Sequence, residues 1–185
     1  MTKSFHGTRR RFLQLGLSAL ACGIATPALA MPWRMPQAGI RALSFYNLHT
    51  DERLHVDYWR DGGYSRAAMA KIDHVLRDHY SGEVYPMHPR LMDLLHALQT
   101  RLGNDGAIEV ISGYRSPHTN AMLRRETTGV ARNSYHCKGM AIDIRLPGTS
   151  LSHLHRTALA MRRGGVGYYP TSDFVHVDVG PVRRW

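Results

Sequence analysis

Apolar and aromatic residues form two short runs early in the chain, separated by a polar segment. The runs cover residues 43–48 and 54–59, and residues 50–53 between them are polar or charged. Runs of this length that flank a polar turn are typical of two paired strands. An aspartate and two glycines at 61–63 follow the second run and predict the end of this hairpin.

Further along, apolar residues recur at the spacing of one helical face in two segments. Pro89 stands at the predicted start of the second helix and Gly103 at its end. Stripes of leucine and methionine at this spacing are typical of a buried core, which a domain of this size requires. The first stripe consists of Met69, Ile72, Val75 and Leu76, and the second of Leu91, Leu94, Leu95, Leu98 and Leu102.

Beyond Gly103 the pattern changes to short strand-like segments with helical segments between them. One of these helices is predicted to begin at Ser116. Because no regular alternation of strand and helix is present, the pattern predicts an α+β fold, a single domain with a small, mostly antiparallel sheet and helices packed on it. The predicted strands cover 107–112, 140–146, 166–169 and 174–179, and another helix is lined by Leu151, Leu154, Ala158 and Met161.

The start of the chain has the features of an export signal. Basic residues without any acidic residue precede an apolar segment at 12–24, and Ala28 and Ala30 suit cleavage by signal peptidase. The sequence Thr-Arg-Arg-Arg-Phe-Leu at 8–13 resembles the twin-arginine signal, which exports folded proteins. Ordinary Sec export is the alternative, and both routes lead to the periplasm.

The predicted division of the chain is a signal peptide at 1–30, a linker at 31–40 and one domain at 41–185. The sequence has 24 Lys and Arg residues against 14 Asp and Glu, and part of this excess leaves with the signal. The remaining positive charge of an exported protein suits the acidic cell wall rather than nucleic acid. No apolar run long enough to span a membrane lies outside the signal, so we expect a soluble periplasmic monomer.

The sequence contains two cysteines, Cys22 and Cys137. Signal cleavage would remove Cys22, so the mature chain could not form an intrachain disulfide. Lipid attachment at Cys22 is a weaker alternative, because the residues before it make a poor lipoprotein box. We expect Cys137 to be a free thiol, with competition for a metal ion beside His136 as the alternative.

Two histidines and one aspartate stand in surroundings that suggest a metal site. His136 lies in a polar turn that contains a glycine, and Asp143 lies within an otherwise apolar strand. Strand alternation places His176 on the same face as Phe174 and Asp178. Two imidazoles and one carboxylate leave the fourth position of a tetrahedral zinc site open for water. The alternative is that Asp143 pairs with an arginine and that backbone groups satisfy both histidines.

The motifs around these residues resemble a family of zinc peptidases. Ser134-x-His136-x-x-Gly139-x-Ala141-x-Asp143, followed by Asp-Phe-Val-His at 173–176, resembles VanX-type dipeptidases, D-alanyl-D-alanine carboxypeptidases and phage L-alanyl-D-glutamate endopeptidases. A closer resemblance, to MepK-type murein endopeptidases, extends from about residue 43 to residue 185. It is carried by the segments 46–50, 112–117, 164–170 and 174–178.

This resemblance implies that His136, Asp143 and His176 bind zinc. It also implies that Asp173 acts as general base, where VanX-type members have glutamate, and that Arg115 holds a substrate carboxylate or an oxyanion. Asp173 precedes His176 by three residues, and this odd offset would direct the two side chains to opposite faces of a regular strand. We therefore expect Asp173 to lie in a turn before the strand.

By the same resemblance, we expect a zinc-dependent murein endopeptidase that hydrolyses D-alanyl-diaminopimelate or diaminopimelate-diaminopimelate cross-links in peptidoglycan. One alternative is a D,D- or L,D-carboxypeptidase or dipeptidase, and another is a non-catalytic peptidoglycan-binding module. Nucleic-acid binding would rest on charge alone, and the export signal argues against it. We expect Asp178 to orient a metal ligand or to form a surface ion pair, and Ser134 to be a turn residue.

Overall fold

The computed structural model describes residues 39–127 and 129–185, so the predicted signal peptide and most of the predicted linker lie outside the described residues. The first strands, β1 (Arg41–Asn47) and β2 (Arg53–Arg60), pair antiparallel and confirm the predicted hairpin. A further strand, β3 (Gly63–Tyr64), pairs antiparallel with β2. The chain therefore turns at Asp61 and Gly62 into a strand that the sequence pattern did not predict.

Four α-helices lie within the described residues. Ser65 and Ser116 cap their helices by accepting a hydrogen bond from a backbone N–H group, and Gly103 ends its helix with a left-handed φ of 60°. The predicted start at Ser116 and the predicted end at Gly103 are confirmed. The helices are α1 (Arg66–Val75), α2 (Pro89–Leu102), α3 (Pro117–Glu126) and α4 (Leu151–Met161).

All strands in the described part of the chain belong to one eight-stranded sheet with the order β3-β2-β1-β4-β5-β7-β6-β8. Two neighbouring pairs, β1 with β4 and β6 with β8, are parallel, and the other neighbours are antiparallel. The prediction of an α+β fold with a mostly antiparallel sheet is confirmed. The remaining strands are β4 (Ile108–Ser112), β5 (Ala141–Arg145), β6 (Gly165–Tyr169), β7 (Phe174–Asp178) and β8 (Arg183–Arg184).

The predicted apolar stripes of α1 and α2 belong to one buried cluster, in which Met69 and Leu102 are only partly buried. The central strands β5 and β7 are buried along almost their whole length. A polar side chain in either strand therefore lies inside the domain, where it needs a polar partner. In the part of the chain that the structure describes, no helix is long and apolar enough to cross a membrane.

Candidate metal centre

The three predicted metal ligands come together at the centre of the sheet. Asp143 in β5 and His176 in β7 are direct partners in the strand register, and the Nδ1 atom of His176 lies 2.8 Å from the Oδ1 atom of Asp143. His136 lies in a short 3-10 turn (His136–Lys138), and its Nε2 atom is 3.1 Å from His176 Nδ1 and 3.3 Å from Asp143 Oδ1. All three side chains are buried. Among the described residues, no other set of histidine, cysteine and acidic side chains converges in this way.

The three donor atoms fit a tetrahedral metal ion. Zinc binds nitrogen and oxygen ligands at about 2.0–2.2 Å, which places neighbouring donors about 3.3 Å apart. The observed separations of 2.8 to 3.3 Å are close to this value. The Nδ1 atom of His136 lies 2.7 Å from the carbonyl oxygen of Gly113, which can only accept a hydrogen, so the Nε2 lone pair is directed at the other two ligands.

The turn that carries His136 depends on a glycine. Gly139 has a φ of 62°, in the left-handed region, and a Cβ atom at this position would collide with the carbonyl oxygen of Pro86. Ser134 accepts a hydrogen bond from the backbone N–H of His136, which agrees with the predicted turn role. The spacing between His136 and Asp143 therefore has a physical basis, since the chain must turn at Gly139 before β5 begins.

Hydrogen bonds within the centre decide which of its groups are charged. Burial alone would raise the pKa of Asp143, but electrostatic attraction to His136 and the hydrogen bonds to both histidines hold it well below its usual range. Burial opposes protonation of His176, yet the hydrogen bonds to Asp143 and Asp178 raise its pKa. Asp143 is therefore ionised, which is the form that binds a metal ion.

Asp178 lies behind His176 and is fully buried. Its Oδ2 atom is 3.0 Å from His176 Nε2, and the Arg183 guanidinium donates to both of its carboxylate oxygens. Because a carboxylate accepts, this contact holds a hydrogen on Nε2. Nδ1 lies beside the Asp143 carboxylate, and its own hydrogen would give way to a bound metal ion. Asp178 thus contacts a candidate ligand and also forms an ion pair, in which the Asp178 side chain is buried and the Arg183 side chain is 37% exposed.

Arg115 lies beside the candidate ligands. Its Nη2 atom is 3.7 Å from Asp143 Oδ2 and 3.2 Å from the hydroxyl oxygen of Ser112, and its backbone N–H donates to the carbonyl oxygen of His136. The predicted alternative was that Asp143 pairs with an arginine. Arg115 is near enough only for a long ion pair of 3.7 Å, whereas both histidines lie closer to Asp143. Arg115 lines the same cavity as the ligands and can reach a group bound there.

The candidate ligands line a cavity of about 730 Å³, a volume that suits a short peptide. Aromatic rings form part of its wall. Tyr169 stacks on Phe174 with ring centroids 4.5 Å apart, and Trp185 lies 5.1 Å from the His176 ring. Elsewhere in the wall, two parallel rings lie 3.8 Å apart, those of His49 and His79.

Asp173 is placed differently from the other predicted site residues. It lies directly before β7 with a left-handed φ of 54°, in the turn that the odd offset predicts. Its carboxylate accepts a hydrogen bond from Arg145 at 2.8 Å, and its side chain is 60% exposed. Ser172 and Phe174 line the cavity, whereas Asp173 is not among the lining residues. Catalysis by Asp173 would therefore require its side chain to leave Arg145.

Cys137 is a half-buried free thiol, and burial raises its pKa. Within the described ranges it is not part of the candidate ligand group. Several cavity residues were not predicted as part of the site, and no local spacing marks them as neighbours of the ligands. Among them are His49, His79, Arg183 and Trp185.

Comparison with known proteins shows similarity over nearly the whole chain. The family described as Peptidoglycan L,D-endopeptidase MepK matches residues 35–185. The chain is 45% identical over 178 residues to the probable peptidoglycan L,D-endopeptidase MepK of Haemophilus influenzae, covering 96% of this chain and 95% of that protein. It is 43% identical over 182 residues to the peptidoglycan L,D-endopeptidase MepK of Escherichia coli K12, covering 98% of both chains.

Proposed function

The chain belongs to the family of MepK peptidoglycan L,D-endopeptidases, and we propose that it is a zinc-dependent hydrolase of peptide cross-links in peptidoglycan. The observation that carries this proposal is the buried group of His136, Asp143 and His176 in the wall of a cavity. Three nitrogen and oxygen ligands that leave a fourth position open are typical of a catalytic zinc site, whereas structural sites use four protein ligands.

Each residue of the centre has a defined task in this proposal. His136 Nε2, Asp143 Oδ1 and His176 Nδ1 would hold the metal ion. When bound, zinc would supply Lewis-acid polarisation of the scissile carbonyl and activation of water. Asp178 would keep His176 in the tautomer and orientation that bind the metal.

Arg115 is proposed to stabilise negative charge on the reacting substrate. Its side chain is only 14% exposed, and the Ser112 hydroxyl and the Asp143 carboxylate lie beside its guanidinium. A positive group that is held in place before the reaction stabilises a developing oxyanion without costly reorganisation. The same guanidinium could instead bind a substrate carboxylate, and kinetics distinguish the two roles.

Asp173 is proposed as the general base on the resemblance of its motif. Exposed ion pairs contribute only about 0–1 kcal/mol, so its carboxylate can leave Arg145 at small cost. Arg145 also pairs with Glu109, and this second pair would remain after Asp173 had moved. Rotation toward the cavity that Ser172 and Phe174 line would then bring the carboxylate to the substrate.

The names of the relatives favour one of the two predicted cross-links. A bond between two diaminopimelate residues joins a carbonyl group at an L centre to an amine at a D centre, whereas D-alanyl-diaminopimelate joins two D centres. The relatives are named L,D-endopeptidases. We therefore propose diaminopimelate-diaminopimelate as the preferred cross-link.

The direct test is chromatography of muropeptides after cross-linked peptidoglycan has been incubated with the purified full-length protein. Diaminopimelate-linked dimers should be converted to monomers in the presence of zinc and should persist with a chelator. His136→Ala should abolish this conversion, whereas His153→Ala, at an exposed position of α4, should retain it. Persistence of the dimers with folded, zinc-loaded protein would contradict the proposal.

The products of the same experiment distinguish the alternatives. Shortening of monomeric stem peptides without loss of dimers would indicate a carboxypeptidase or dipeptidase. Loss of D-alanyl-diaminopimelate dimers alone would indicate the other cross-link. Retention of the protein on peptidoglycan without cleavage would indicate a binding module.

We also propose that the protein is exported by the twin-arginine route and acts in the periplasm. The proposal rests on Arg9 and Arg10 before the apolar segment. Replacing both arginines with lysine should remove the protein from the periplasmic fraction. Unchanged export of this variant would indicate the Sec route.

A further inference from the structure

The side chain of Arg183 reaches the metal centre from an outer strand of the sheet. Its strand, β8, pairs in parallel with β6, and the backbone N–H of Arg183 donates to the carbonyl oxygen of Gly164. From this position Nη2 donates to Asp178 Oδ2 at 2.6 Å, and Nη1 donates to Asp178 Oδ1 at 3.0 Å. Two parallel bonds of this kind fix the plane of a carboxylate as well as its position.

The two oxygens of Asp178 have different partners. Oδ1 also accepts hydrogen bonds from the backbone N–H groups of Gly165 and Gly180. Oδ2 has no backbone donor among the described residues, and its hydrogen-bond partners there are Arg183 and His176. Arg183 is therefore the group that fixes the oxygen atom in contact with the candidate zinc ligand.

The surroundings of Arg183 leave room for this contact. A Cβ atom on Gly165 would collide with both the Asp178 carboxylate and the Arg183 guanidinium. The guanidinium carbon also lies 4.8 Å from the ring centroid of Tyr135, the residue directly before His136. Arg183 thus contacts a neighbour of each candidate histidine ligand.

We propose that Arg183 is a positioning residue of the metal centre, which holds Asp178 and through it keeps His176 in the orientation that binds zinc. Without the guanidinium, Oδ2 of Asp178 would be free to move away from His176 Nε2. The imidazole would then lose the contact that directs Nδ1 toward Asp143 and His136. Replacing a residue that supports a metal ligand in this way typically weakens metal binding about 10- to 100-fold.

The test is the zinc affinity of the full-length protein, measured by competition with a fluorescent chelator. Arg183→Ala and Arg183→Met should bind zinc about 10- to 100-fold more weakly than the wild type. Arg183→Lys should give an intermediate affinity, since an ammonium group cannot reproduce the two parallel bonds. The matched control is Arg184→Ala, because Arg184 is the exposed neighbour in the same strand and should leave the affinity unchanged.

A second readout separates positioning from a purely structural role. With cobalt in place of zinc, the visible absorption spectrum reports ligand geometry, and Arg183→Met should alter it while Arg184→Ala should not. Arg183→Met keeps the aliphatic stem, so it decides the question if Arg183→Ala does not fold. An unchanged zinc affinity of folded Arg183→Met would overturn the proposal, even if the zinc-free protein were less stable.

The inference rests on the proposed metal site but not on cleavage of any peptide. A protein that binds zinc and cleaves no cross-link would contradict the proposed function, while the measured affinities would still decide the role of Arg183. A wild-type protein that binds no zinc would overturn this inference as well.

Discussion

Arg115 lies beside the candidate metal centre without being one of its ligands. At this position, Arg115→Ala should lower kcat about 100- to 1,000-fold, which is the usual loss for one oxyanion donor. Zinc affinity should remain close to that of the wild type. Steady-state kinetics on isolated cross-linked dimers test this, with Arg124→Ala at an exposed position of α3 as control. A raised KM with unchanged kcat would assign Arg115 to binding of a substrate carboxylate instead.

Asp173 offers a second prediction for a single residue. If its carboxylate is the general base, Asp173→Asn should lower kcat about 100- to 10,000-fold while zinc binding persists. Arg145→Ala should retain activity, because it removes the ion-pair partner of Asp173 and leaves the carboxylate itself. Full activity of Asp173→Asn would show that Asp173 serves only its surface pair with Arg145.

The candidate ligands could be predicted from sequence because their signals are local. Asp143 is a carboxylate in an apolar strand, His136 precedes a glycine turn, and alternation in β7 directs His176 and Asp178 to the same face. Arg183 could not be predicted. Its contact with Asp178 depends on the pairing of β8 with β6, which no local pattern encodes.

Asp78 connects the segment that follows α1 to the start of α3. Its carboxylate accepts hydrogen bonds from the backbone N–H groups of Tyr80 and Ser116. Burial alone would raise the pKa of Asp78, but hydrogen bonds from Thr119, Ser116 and Tyr80 lower it to about 2. Since the pKa in the folded protein lies below the ordinary value of 3.8, Asp78 stabilises the fold above about pH 4, and this contribution is lost as the pH falls toward 2.

Asp78→Asn should therefore lower the free energy of unfolding by about 2 kcal/mol at pH 7. The difference from the wild type should shrink as the pH falls from about 4 to about 2. Urea unfolding across this pH range measures the effect, with the exposed Asp105 replaced by Asn as control. A difference that stayed constant with pH would contradict the charge-dependent role.

The turn between His136 and β5 can be tested with two glycines of similar conformation. Gly139 and Gly148 both have positive φ, 62° and 80°, but a Cβ atom would collide with Pro86 only at Gly139 and would meet open space at Gly148. Gly148→Ala should cost about 1–2 kcal/mol of stability from backbone strain alone. Gly139→Ala should cost more and should also weaken zinc binding, which thermal unfolding and chelator competition measure. Equal losses for the two variants would contradict a special role of the turn.

The length of each helix or strand determined whether the sequence pattern could predict it. The stripes of α1 and α2 span enough turns for helical periodicity to show, and the capping residues mark their ends. The strands β3 and β8 have two residues each, which is too short for any alternation to appear. Both exist because a neighbouring strand offers free backbone groups, and this is a property of the assembled sheet.

Across the whole molecule, a bound metal ion would join two strands and a turn. Because zinc would bind only the folded protein, a concentration of 100 times Kd should stabilise it by about 2.7 kcal/mol. For a domain of this size the melting temperature should rise by about 5–10 °C, and a chelator should reverse the rise. Calorimetry measures the effect, and His136→Ala should remove it. If zinc raised the melting temperature of His136→Ala equally, the ion would bind at another site.

The fold class followed from the sequence, but the order of the strands did not. Antiparallel neighbours such as β6 and β7 are close in the chain and can be inferred from short connections. The parallel pairing of β1 with β4 joins strands separated by two helices. Such a pairing depends on the packing of the complete core, so a local sequence pattern cannot predict it.

The short outer strands of the sheet also bear on how copies of the protein meet each other. An edge strand with exposed backbone groups is a template on which another chain can add a strand and begin an aggregate. Among the described residues, the outermost strands are Gly63–Tyr64 and Arg183–Arg184, and neither is long enough to serve as an extended template. Arg184 adds an exposed positive charge to one of these strands, while Arg183 is already paired with Asp178. The short outermost strands thus limit the addition of a strand from a second copy at these two positions.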